Sequence, residues 1–452
     1  MKRTIKSMSL ILAVIITLGA VTLTACGEKE TEKGEVTIRY LNFKPEIADG
    51  YKQLADAYYK ESGVKVIVDT AANNQYESTL TAKMSTKEAP TLFQINGPKG
   101  YANWKSYCKD LKDTKIYSAL NDKSLAITGS DGGVYGIPYV VEGYGIIYNK
   151  EITDKYFALK NKKTDFNSMD EVNSFKKLKS LTEDMTANKS ALGIKGVFAS
   201  TSMKSGEDWR WQTHLANLPV YYEFKSEDVD LSSDETDEID FTYSENFKNI
   251  FNLYLDNSTV PRTAVATKTV TDSMSEFSLG QCAMVQNGNW AWSQIKDVAG
   301  NKVKEENVKF LPIYIGVDGE EKQGICIGTE NYYAINKNSS DAEIKAAQDF
   351  IYWLFTSDTG KKYVVEKFDF IAPFNTFSES ERPSDPLARE VVRYMERDDL
   401  EVVPWQFTLF PSAKFKEDFG ASLLKYAQGN KTFDKVKSDM TASWKKESES
   451  AE

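Results

Sequence analysis

An α/β fold in two lobes is what this chain predicts, on two observations. Strand-type and helix-type segments alternate from residue 36 onward, and roughly 420 residues follow the leader, more than one ordinary core organises. The first strand, 36–41, ends at polar Asn42. Tyr51, Leu54, Ala55, Tyr58 and Tyr59 then fall at helical spacing, and Gly63 stops that helix. A second strand at 64–68, a helix over 76–87 and a third strand at 89–95 complete the opening run. This rhythm argues a parallel sheet with right-handed crossovers, and such sheets bind ligands beyond the carboxyl ends of their strands. Attention therefore goes to the loops 42–46 and 94–98.

A helix is expected over 101–111, an extended segment at 134–139 and a strand at 144–150. Ser168 with Glu171 reads as a capping box for a helix over 169–181. The acidic stretch 227–240 reads as an exposed loop, and further helices are expected over 244–256, 341–356 and 384–397. No repeat of fixed period is present.

The leader, 1–25, has a basic head (Lys2, Arg3, Lys6), an apolar run over 8–23 and small residues before the cut, as a secretory signal does. Leu23-Thr24-Ala25-Cys26, followed by Gly27, resembles the lipobox of bacterial lipoproteins. That resemblance implies a diacylglyceryl group on Cys26, which becomes the mature amino terminus. Two acyl chains hold firmly because each buried CH₂ contributes ~0.8 kcal/mol. The alternative is an ordinary cleaved signal. Residues 26–34 are too polar to bury surface and are expected to be a disordered stalk. Beyond them no segment approaches the ~20 apolar residues that cross a bilayer. An anchored protein outside the cytoplasm is the expectation.

Removing Lys2, Arg3 and Lys6 with the leader takes the net charge from −10 to −13. An acidic body with one histidine suits neither nucleic acid nor anionic lipid. Cys108, Cys282 and Cys326 cannot all pair and match no zinc spacing, so buried thiols are expected, with one disulfide as the alternative.

Three segments carry a further resemblance. Gly136-Ile137-Pro138-Tyr139-Val140-Val141-Glu142 leads into Ile147-Tyr148-Asn149-Lys150; residues 281–292 form a strand that ends in Asn287-Gly288-Asn289-Trp290; Ala334-Ile335-Asn336-Lys337 precedes the helix at 341–356. In this order the chain resembles the extracellular solute-binding proteins of ABC importers, in the carbohydrate-binding group that includes maltose-binding protein. The resemblance implies two α/β lobes joined by three crossings near Glu142, Gly324 and Pro373. Lobe one would be 35–141 with 327–372, and lobe two 142–326 with 373–452. It also implies an oligosaccharide held between the lobes, delivery to the importer's membrane permease subunits, a monomer and no cofactor. Closure of the lobes would be a hinge motion stabilised by a ligand touching both faces.

A pyranose offers two C–H faces for flat rings and a rim of hydroxyls for charged and amide groups. Trp290 follows a turn, and its family counterpart stacks on sugar. One of Trp209 and Trp211, beside Arg210 in an expected loop, is assigned to the cleft, as is Trp405. Trp292 and Trp104 are expected inside. Glu142 sits where the lobes meet. Asn42, Lys44 and Glu46 share the loop after the first strand, and Gln94, Asn96 and Gly97 follow the third, where the pattern departs from maltose-binding protein. Asn287, Glu330 and Asn375 complete the candidates, and His214 is expected to be structural. A surface-anchored glycoside hydrolase is the rival class, needing two carboxylates ~5–10 Å apart that nothing singles out. A lipoprotein for a polyamine or peptide is the third.

Overall fold

The computed structural model describes residues 36–72, 75–229 and 236–450. The signal sequence, Cys26, the stalk and the middle of the acidic stretch lie outside the described residues. Twelve strands are described: β1 (Thr37–Asn42), β2 (Lys65–Thr70), β3 (Leu92–Asn96), β4 (Ile127–Thr128), β5 (Val134–Pro138), β6 (Glu142–Asn149), β7 (Gly196–Phe198), β8 (Cys282–Gly288), β9 (Val308–Leu311), β10 (Gln323–Gly328), β11 (Asn331–Ile335) and β12 (Glu401–Val403).

They form two sheets flanked by helices. The first has the order β2-β1-β3-β11-β5-β4. Its opening part is parallel, β1 pairing with β2 from Thr37↔Lys65 to Asn42↔Thr70 and also with β3. The returning β11 runs antiparallel to β3 and β5, so the sheet is mixed rather than wholly parallel. The second sheet has the order β12-β10-β6-β8-β7, with β9 also on β6. All eight residues of β6 are buried. Their alternation divides the interior: Tyr144, Ile146 and Tyr148 enter one apolar cluster, and Ile147 enters another with Val285 and Phe310.

The chain passes between the sheets after β5 and again after β10. Because Ile327 and Gly328 pair with Gly143 and Glu142, β10 stays in the second sheet to its end, and the passage falls at Thr329 and Glu330 rather than near Gly324. The last passage lies beyond Phe374, which bridges to Leu120 on the first-sheet side; the helix Pro386–Met395 then packs in the second-sheet cluster.

Local differences from the sequence reading have plain causes. Residues 94–98 are not a loop: β3 runs to Asn96, and Gly97, at φ +63°, starts the helix Gly97–Trp104 directly, with Pro98 in its first turn. Ser168 and Glu171 close only the single turn Met169–Glu171, because extended Val172 ends it; the long helix is Phe175–Ala187, capped by Ser174. Cys108, Cys282 and Cys326 are free and buried. Among the described residues no helix is long and apolar enough to cross a membrane.

Two buried carboxyls set part of the pH dependence. Asp385 caps the helix Pro386–Met395 by accepting from Ala388 N–H at 2.7 Å, and burial pushes its pKa up to about 7. Asp208 is pushed up to about 6, again by burial. Between the unfolded and folded values the native state binds more protons, so this contribution is present at low pH and lost as pH rises through the folded pKa. Asp385→Asn removes the titration while keeping a capping side chain. Melting curves from pH 5 to pH 8 should show the variant gaining on the parent as pH rises; a constant difference would rule out Asp385 as the source.

Candidate functional site

The first lobe brings three chain segments together at one end of its sheet. Asn42 folds the loop after β1 on itself: Oδ1 accepts from Lys44 N–H at 3.1 Å, and Nδ2 donates to Lys44 O at 2.7 Å and Thr70 Oγ1 at 3.2 Å. Gln94 braces the same loop, its Oε1 accepting from Phe43 N–H and its Nε2 donating to the Tyr139 hydroxyl. The loop so fixed aims Lys44 Nζ at Glu142 Oε1, 2.7 Å away, with Glu46 at 3.7 Å. Glu142 opens β6, so this buried ion pair ties a first-lobe loop to a second-sheet strand. Burial works against the Lys44 charge, but Glu142 and then Glu46 more than offset it, holding the ammonium charged. Asn96 Nδ2 donates to Glu330 Oε1 at 2.8 Å, and Gly97 N–H donates to Glu330 O at 3.0 Å.

The second lobe contributes aromatic rings seated on bare backbone. Tyr144 pairs with Gly288 on one side of β6, and Glu142 pairs with Gly328 on the other. A Cβ on Gly288 would collide with the Trp290 ring, and one on Gly328 would lie 2.6 Å from Trp405 Cγ. Each tryptophan thus lies on a strand-end glycine that leaves it room. Asn289 Oδ1 accepts from Gly143 N–H at 2.9 Å and fixes the turn that carries Trp290. Trp209 precedes a π-helical turn, Arg210–Leu215, where a loop was expected. Its ring centroid is 6.0 Å from that of Trp290, which is 6.4 Å from Trp405 at 87°. His214 stacks on Tyr144 (4.3 Å, 14°) and meets Trp209 edge-on. Lys44 Nζ, from the first lobe, lies 5.9 Å from the Trp290 ring centre.

Around this cage, buried polar atoms have no hydrogen-bond partner among the described residues. They include Nε, Nη1 and Nη2 of Arg210, Oε1 of Gln212 and Gln286, Nδ1 of His214 and Nε1 of Trp405. Leaving such a group unsatisfied costs ~1–3 kcal/mol, so native interiors rarely keep one, and a concentration of them calls for a molecule that supplies the partners. Burial brings Arg210 down to about 9. Burial, then the charges of Arg210 and Lys416, holds His214 well below its ordinary value, so its imidazole is neutral.

A model of the bacterial extracellular solute-binding proteins matches residues 53–389. The chain belongs to that family. It is similar to the melibiose/raffinose/stachyose-binding protein MelE of Bacillus subtilis (strain 168), 29% identical over 128 residues that cover 28% of this chain and 30% of MelE. It is also similar to a maltooligosaccharide ABC transporter solute-binding lipoprotein of Streptococcus pneumoniae (strain ATCC BAA-255 / R6), 28% identical over 149 residues, 30% of this chain and 34% of the relative. The chain thus spans about a third of the length of these curated relatives. Among solved structures, a chitin oligosaccharide binding protein matches with a TM-score of 0.71 at 17% identity, over 92% of this chain and 99% of that one, a likeness of fold.

In this solute-binding protein Lys44, Glu46, Glu142, Trp209, Arg210 and Trp290 converge on the cage and its rim, Trp405 backs the cage as a buried member of the second-lobe core packed on Tyr144 and Phe407, and Asn96, Gly97 and Glu330 gather at the first lobe's facing edge. Gly97 meets the second lobe, where a Cβ would lie 2.8 Å from Thr408 Cβ. Asn42 and Gln94 shape the loop that carries Lys44. Trp211 turns into the core, donating to Ser202 O at 3.1 Å and packing on Phe251 and Tyr254. Asn287 is buried with its side chain on Met274 Sδ and Gly288 N–H. Asn375 is exposed, its backbone bonded to Ala119 O away from the cage. Trp104 and Trp292 lie in the cores. Tyr144, His214, Gln212, Gln286 and Lys416 carry no local sequence signal that places them at the cleft. The five-residue step from Trp209 to His214 joins one face only on a π turn, which the sequence does not announce.

Gly288→Ala should displace the Trp290 ring at an overpacking cost of about 1–3 kcal/mol. Ligand titration should show weaker binding, with far-ultraviolet circular dichroism unchanged; unaltered affinity would mean the ring's seat is immaterial.

Proposed function

We propose that this protein captures an oligosaccharide between its two lobes and delivers it to the membrane subunits of an ABC importer. The observation that carries the reading is the coincidence, at one lobe junction, of a tryptophan–histidine cage with unpartnered buried donors and acceptors. Rings cover the C–H faces of a sugar, and its hydroxyls both donate and accept, so one ligand class satisfies both features. The sugars named for MelE and the pneumococcal relative support the same class. A polyamine fits poorly, because Arg210 and Lys416 would repel it.

Binding proceeds without turnover in this reading, and Cys26 holds the monomeric protein to the outer face of the cell membrane. Native mass spectrometry of the mature protein with a glycan panel should show one-to-one complexes with an oligosaccharide, and the bound glycan should be recovered intact after a day. Cleavage that disappears when one carboxylate is mutated would make the protein a hydrolase, and a panel with no complex would end the sugar reading. Cys26→Ser should release the body into the medium or leave uncleaved precursor; lipid-labelled, detergent-requiring protein in that variant would overturn the anchor.

A further inference from the structure

We infer that the captured sugar carries a carboxylate, as a uronic acid residue does, and that Arg210 is its counter-ion. This rests on the oligosaccharide reading above and narrows its substrate class. Arg210 is 1% exposed, and none of its three guanidinium nitrogens has a hydrogen-bond partner among the described residues. Its Cζ lies 4.2 Å from the centre of the Trp209 ring, within the cage.

Among the described residues no carboxylate forms an ion pair with Arg210, and the charge of Glu207, which acts on it from a distance, does not offset its burial. Glu207 accepts from Val270 N–H at 3.1 Å, and Asp208 accepts from Gln212 Nε2 at 3.3 Å. On the first lobe Glu142 and Glu46 share Lys44, while Glu330 and Glu77, which accept from Asn96 and the Trp104 indole N–H, direct their charge at Lys416. Lys416, on the helix Ala413–Ala427, forms no ion pair among the described residues and adds to the positive potential at His214.

A hydroxyl can accept a hydrogen bond from Arg210 but cannot cancel its charge, which the Trp209 ring and the more distant Glu207 offset only in part, and burying an ionised group with no ion-pair partner is costly. A carboxylate does both, and the planar guanidinium fork matches its two oxygens. Unpartnered Oε1 atoms on Gln212 and Gln286 need donors, which an inorganic anion lacks and a polyol supplies. Anion, hydroxyls and stacking face together describe a sugar acid.

The test is calorimetric titration of the mature protein with trigalacturonic acid and a glucuronic-acid-substituted xylotriose, each beside its carboxyl-reduced neutral twin. A set of neutral gluco-, galacto- and xylo-oligosaccharides is run in parallel. One acidic glycan should bind roughly tenfold or more tighter than its twin. Arg210→Gln should abolish that preference and Arg210→Lys should keep part of it. Should Arg210→Gln fail to fold, the parent's preference for acid over twin still decides. Neutral glycans binding as well as or better than the acids would overturn the inference and leave oligosaccharide capture standing. Failure of every glycan in both sets would overturn capture itself.

Discussion

Trp290→Ala should bind the oligosaccharide about 30–150-fold more weakly than the parent, a loss of ~2–3 kcal/mol for one missing stacking face. The ring is half-buried, rests on Gly288 and stands beside Trp209 and Trp405, so its removal opens the cage without emptying a core. Titration calorimetry beside a ligand-free melt separates the outcomes. A variant that binds like the parent, or melts several degrees lower without ligand, would make Trp290 a packing residue.

Glu142→Leu should lower stability by about 3–5 kcal/mol, because it strands the Lys44 ammonium in a buried position. The side chains of Lys44 and Glu142 are only 8% and 5% exposed, and Glu46, at 3.7 Å from Nζ, is a weak substitute. Glu142→Gln keeps an acceptor for Lys44 and should cost less, ~1–2 kcal/mol. Lys44→Met with Glu142→Leu should regain most of the loss, since apolar replacement of both members of a buried pair is often near neutral. A double-mutant cycle on thermal or denaturant melts reads the coupling; strictly additive losses would show that the two charges do not stabilise each other.

The backbone plan was legible because it is written in local patterns. Tyr51, Leu54, Ala55 and Tyr58 all point inward from the helix Ala48–Ser62, and the helices Ser244–Asp256 and Asp341–Thr356 fall where their periodicity puts them. Boundaries failed where one residue type outweighed the pattern, as when Gly97 started a helix that the apolar spacing placed four residues later. At the site, residue types were readable but pairings were not. Lys44 and Glu142 were each marked for the cleft, yet their ion pair joins positions 98 apart, which no local pattern encodes. Trp209 and Trp211 could not be told apart because their directions depend on the π turn that starts at Arg210. The seats under Trp290 and Trp405 depend on two glycines brought beside β6 by sheet pairing, a long-range fact.

Diffraction from crystals of the mature protein grown with its tightest-binding glycan tests the central claim most directly. A pyranose ring should lie on Trp290 between the two lobes, with Arg210, Gln212 and Gln286 in hydrogen-bonding contact with it. Density for the glycan on an outer surface, with the cage still filled by its own side chains, would contradict the placement of the site.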